Sequence, residues 1–197
     1  MKILKYILYV ILGLIVAFFA LGLLKSSISY GHEITVNKPV EEAWAVSKDQ
    51  SKFDQWLDGF QSIELISGEQ DQVGSKYKVI VNPGEGQSDF EMTETLASMK
   101  EFEEINLKFD SEMMDFDQTM TYTAADGKTT IKTDSKVMPK GIFMRSMFAW
   151  MDLLGDSFTK QEAKNMEALK KLIESNTTNY YPSPEPIMAA DSVQVVE

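Results

Sequence analysis

IFMRSMFAWMDLLGDSFTKQEAKNMEALKKLIE, residues 142–174, is the stretch on which the fold turns. Its apolar residues fall at Phe143, Met147, Trp150, Met151, Leu154, Phe158, Met166, Leu169, Leu172 and Ile173, mostly in steps of three or four. That spacing puts side chains on one face of a helix. Arg145, Asp152, Asp156, Lys160, Lys164, Lys170 and Lys171 fill the other flanks. The pattern predicts one long amphipathic helix with a wide apolar stripe. Gly155 sits inside it at a cost of about 1 kcal/mol against alanine, where it permits a kink or a close contact with a strand. Burying each large residue of the stripe is worth roughly 1.5–3 kcal/mol, so something broad must cover it.

The covering surface lies upstream. Segments Tyr30–Val36, Ile63–Gly68, Gly74–Val81, Ser88–Leu96, Glu104–Asp110, Met113–Thr123 and Thr129–Val137 alternate apolar and polar residues with the period of a strand. Asn82–Gly86 reads as a turn, and Asp126-Gly127 is a hairpin signal. Between the first and second strands, Val40–Ser47 and Ser51–Phe60 carry apolar residues at helical spacing. Strands with one apolar and one charged face have one side on a core and the other in water. The apolar sheet face and the apolar helix stripe must therefore meet. The expected fold is α+β, a bent antiparallel sheet of about seven strands gripping the long C-terminal helix.

Ile3–Leu24 is apolar except for Lys5, Tyr6 and Tyr9. As a helix it is about 33 Å long, against a hydrocarbon thickness of about 30 Å. The tyrosines sit near one end, where interfacial aromatics belong. A membrane anchor is the expectation. The alternative is a cleaved signal with Ala20-Leu21-Gly22 at the cut, but Leu23 and Leu24 carry the apolar run past it. Lys2, Lys5 and the terminal amine precede the span, and Lys25 and Lys38 follow it. This leans towards a single-pass protein with its domain outside the cytoplasm. The chain thus divides into an anchor at 1–25, a sheet-and-helix domain at 26–175 and an aperiodic tail at 176–197, rich in proline and expected to be disordered.

Composition excludes several classes of function. There is no cysteine and a single histidine, His32, so thiolate chemistry, a disulfide framework and a multi-histidine metal site are excluded. Lys2, Lys5 and Lys25 leave −14 for the rest of a chain whose total is −11. Such a surface repels phosphate backbones and excludes nucleic acid as a partner. The acidic stripe of Glu112, Asp115 and Asp117 reads as a solvated face rather than a calcium site, which takes six to eight oxygens in a shaped loop.

The strand followed by Pro39-Val40-Glu41-Glu42-Ala43-Trp44, then Trp56, then Gly74, resembles the polyketide cyclase/dehydrase branch of the START/Bet v1-like (SRPBCC) superfamily. The resemblance spans about Tyr30–Glu174. It implies a helix-grip fold: a seven-stranded sheet around a C-terminal helix, enclosing a cavity for hydrophobic ligands. It carries no shared catalytic signature, so it assigns no catalytic residue, metal or cofactor.

The strand register aims polar Glu94, Gln118, Thr133 and Ser135 inward beside Phe90, Met92, Phe116 and Met120. Met147, Trp150 and Met151 of the helix are expected to face them across the cavity. A buried Glu94 would have a raised pKa and act as an acid or base; a bulge would instead turn it to solvent. The methionines suit either an adaptable pocket or ordinary core filling. Three functions follow. The first is a membrane-anchored domain that holds a hydrophobic small molecule or lipid. The second is a cyclase- or hydratase-like enzyme that uses the inward carboxylate. The third is a protein-interaction module with a filled cavity.

Overall fold

A computed structural model of the chain describes residues 2–82, 84, 86 and 88–181. Helix α1 (Lys2–Leu24) leads into strand β1 (Ile28–Val36), then α2 (Val40–Lys48), a 3-10 turn at Gln50–Lys52 and the short α3 (Phe53–Trp56). Six strands follow: β2 (Phe60–Ser67), β3 (Lys76–Val81), β4 (Phe90–Lys100), β5 (Glu104–Asp110), β6 (Met114–Ala125) and β7 (Lys128–Pro139). Two helices, α4 (Gly141–Gly155) and α5 (Ser157–Glu174), complete the order. The tail beyond residue 181 lies outside the described residues, as do Pro83, Glu85 and Gln87 of the turn after β3.

The seven strands form one sheet in the order β1-β7-β6-β5-β4-β3-β2, with every pairing antiparallel. α5 packs against β1, α2 and α3, and buries Met166, Leu169 and Ile173 from its inner face. They meet Ile34, Val36, Trp44, Leu96, Tyr122 and Ile131 in the main core. Trp44 stands edge-on to Tyr122 at 5.0 Å between ring centroids, and the Tyr122 hydroxyl meets Ser47 Oγ at 2.6 Å. This is the helix-grip arrangement.

The grip is made by half of the expected helix. Asp156 has φ 47° and ψ 38°, the left-handed conformation, which aspartate tolerates better than most residues. Its N–H closes the last turn of α4 on Asp152 O at 3.1 Å, and its own carbonyl accepts from Lys160 N at 3.0 Å to start α5. The single helix over 142–174 is therefore two. α4 turns away from the grip and lies along α1. Leu154, expected in the stripe, is 78% exposed in consequence.

The first residues beyond α5 dock on the domain. Asn176 is buried and donates to Glu42 Oε1 at 3.0 Å. The Tyr180 hydroxyl donates to Asp49 at 2.7 Å.

Candidate functional site

Between α5 and the concave face of β2–β6 lies a cavity of about 290 Å³. Strand alternation builds its floor. Val79 of β3, Met92 and Leu96 of β4, Leu107 and Phe109 of β5, and Phe116 and Met120 of β6 all reach it. Phe53, Trp56 and Phe60 close one side from α3 and the start of β2, and Phe158 of α5 closes another. Phe109 and Phe116 stack at 5.0 Å, and Tyr30 stacks on Phe158 at 5.5 Å.

Charged groups are a minority of its lining residues. Glu94 enters from β4 and Glu162 from α5. The β4–β5 register shift falls between Leu96 and Ser98, beyond Glu94, so the alternation that aims Glu94 inward is intact. Burial alone pushes its carboxyl up to about 7, because removing a carboxylate from water penalises its charged form. Burial raises Glu162 as well, opposed by a hydrogen bond from the Thr133 hydroxyl and by His32 nearby. Tyr30 is half-buried beside Glu162 and hydrogen-bonded to Ser135; desolvation, and then the Glu162 charge, hold its phenol strongly protonated. Gln118 Nε2 donates to Ser135 Oγ at 3.3 Å. A short polar seam thus runs along one end of an apolar space. Among the described residues no group of three or more His, Asp or Glu is placed to hold a metal ion.

The rim is held by ion pairs. Lys48 of α2 meets Asp71 at 3.3 Å. Asp58 ties α3 to α5 through Lys164 at 2.8 Å and Gln161 at 3.1 Å. Lys48, Asp58, Asp71 and Gln161 all border the cavity.

The structure brings together Met92, Glu94, Phe116, Gln118 and Met120 around the cavity. It places the other expected lining residues elsewhere. Thr133 and Ser135 are buried on β7, beside the lining of the cavity, where Thr133 hydrogen-bonds Glu162 and Ser135 meets Tyr30 and Gln118. Phe90 sits half-buried at the start of β4, away from the cavity. Met147, Trp150 and Met151 are on α4, which the break at Gly155–Asp156 carries out of the grip. Met147 packs instead in a second core cluster around Ile28, Val137 and Phe148, and Met151 is exposed.

Glu162 and Tyr30 were not expected in the site. Glu162 did leave a signal in the sequence. It lies four residues after Phe158 and four before Met166, so the apolar stripe of α5 contains a carboxylate.

A bent seven-stranded sheet, a gripping C-terminal helix and an apolar cavity between them define a helix-grip protein. Residues 27–174 match the family described as polyketide cyclase / dehydrase and lipid transport, and the chain belongs to that family. No curated protein sequence matches it significantly. Solved structures do. Ara h 8.0201 has a TM-score of 0.57 at 17% identity, over 76% of this chain and 99% of that one. Norcoclaurine synthase from Thalictrum flavum, solved with dopamine and hydroxybenzaldehyde, has a TM-score of 0.56 at 16% identity, over 80% of this chain and 92% of that one. The di-domain ARO/CYC protein BexL has a TM-score of 0.56 at 11% identity, over 77% of this chain and 51% of that one. At such identities the likeness shows the fold alone.

Proposed function

We propose that this protein is a membrane-anchored binding domain that holds one hydrophobic small molecule or lipid between the sheet and α5. The cavity of about 290 Å³, walled mainly by aliphatic, aromatic and methionine side chains, carries the reading. Such a space binds by apolar area, at roughly 25 cal/mol per Å² removed from water, with a few polar groups to orient the guest. Glu94, Glu162, Tyr30 and Gln118 are those groups. The test is titration of the full-length protein in detergent with an environment-sensitive naphthalene dye. Leu107→Trp and Met92→Trp, which fill the space, should each weaken dye binding by at least tenfold with little loss of stability. Wild-type affinity in both folded variants contradicts the reading.

A second reading has its own support. A carboxyl held at about 7 is matched to general acid–base work near neutral pH. Glu94→Gln separates the two: a binder keeps its affinity within a few-fold, whereas a proton-transferring cyclase or hydratase loses about 10²–10⁴-fold in rate.

The anchor reading is supported by α1, which is long and apolar enough to cross a membrane, although a signal sequence passes the same test. Lys2, Lys5 and the terminal amine before the span, against Lys25 and Lys38 after it, lean towards N-terminus-in. The full chain should stay with membranes through alkaline carbonate, and its domain should be digested by protease added from the non-cytoplasmic side. Release by carbonate contradicts the anchor.

A further inference from the structure

Helix α4 has two unlike sides. Ser146, Phe148 and Ala149 are buried, whereas Ile142, Phe143, Met151, Leu153 and Leu154 are exposed by 39–78%. Its buried side is shared with α1. Gly22 approaches Ser146 so closely that a Cβ there would stand 2.2 Å from Ser146 Oγ. The Phe18 and Phe143 rings are 5.9 Å apart, and Lys25 pairs with Asp152. These contacts follow the same order along both helices, so the last two turns of α1 and the body of α4 run side by side. Only Lys25, Ser26 and Ser27 separate α1 from β1, which leaves no leash between helix and domain.

We propose that α4 is a second membrane-contacting element, standing beside the end of the span in the boundary layer of the bilayer with its exposed apolar side chains among the headgroups and upper acyl chains. The proposal rests on reading α1 as a membrane span. The occupant follows from continuity: a helix seated along the end of a span is delivered to the lipid surface where that span emerges. Depth agrees. Phe143 is level with Phe18, six residues before the end of α1 at Leu24, or roughly 9 Å along the axis. Leu154, eleven residues further along α4, comes roughly 7 Å beyond that end, at the level of the headgroups. The charges beside α4 are paired: Lys25 with Asp152, and Lys140, just before the helix, with Asp110 and Asp115, while Arg145 donates through Nε to Pro139 O. The break at Gly155–Asp156 is then the device that gives α5 to the cavity and α4 to the membrane.

The chain has no cysteine, so single-cysteine probes are direct. Phe143→Cys and Leu154→Cys, each labelled with a nitrobenzoxadiazole dye, are reconstituted full-length into phosphatidylcholine vesicles containing doxyl-lipid quenchers. Val10→Cys reports the span, and Lys132→Cys, on the outer face of β7, reports water. The expected result is quenching at 143 and 154 at least threefold greater than at 132, with quenching at 10 as well. Quenching at 10, with 143 and 154 behaving like 132, overturns the proposal and leaves the span intact. Shielding of 143 and 154 from aqueous dithionite without lipid quenching, on chains whose domain faces the bath, assigns α4 to a contact with a second copy of the chain and also overturns it. Absence of quenching at 10 removes the span and the proposal together.

Discussion

Glu94 hangs from β4 into a space that is mostly hydrocarbon, and that setting has a thermodynamic consequence. A carboxyl whose folded pKa is about 7 binds its proton more tightly folded than unfolded, where the value is near 4.3. Between those values the unfolded chain has lost the proton and the folded chain keeps it, so stability falls as pH rises. The stability is fully present below the unfolded pKa, is lost progressively up to about pH 7 and changes no further above it. Glu94→Gln, which stays neutral, should escape this loss. Relative to wild type it should gain about 2–3 kcal/mol between pH 4.5 and pH 7.5, read from urea unfolding at the two pH values. A constant difference would mean that Glu94 is solvated. Glu162 extends the same logic, but its Thr133 hydrogen bond and His32 offset part of the cost of burial.

At the scale of elements, the two C-terminal helices divide the labour. Leu169 is fully buried on α5 and Leu154 points outward from α4. Leu169→Ala should cost about 2–5 kcal/mol, and Leu154→Ala less than about 0.5 kcal/mol, both measured by denaturant unfolding in detergent. Equal costs would mean one continuous gripped helix. Gly22→Leu should pry α1 from α4, since even a Cβ collides with the Ser146 backbone, and should speed tryptic cleavage at Arg145. The strands were legible in the sequence because each has one wet face, and period-two alternation survives any bending of the sheet. The helix break was not. Leu154 and Phe158 stand four residues apart, so the stripe reads as continuous across Gly155 and Asp156. Periodicity shows that a face is apolar without showing what covers it. For the same reason Met147, Trp150 and Met151 were expected in a cavity that α4 does not reach, and one acid at Glu162 did not disturb the count.

At the scale of the whole molecule, the sheet and α5 enclose the space and its rim is tied by Lys48–Asp71 and Asp58–Lys164, with α1 and α4 as the proposed attachment to a membrane. The central claim is that the space between sheet and helix is occupied by one apolar guest. Native mass spectrometry of the full chain, extracted gently from its own membranes, tests this most directly. The account predicts a population carrying a single small hydrophobic molecule, absent from the folded Leu107→Trp variant. Wild-type protein without such an adduct, or the same adduct retained by Leu107→Trp, would contradict it.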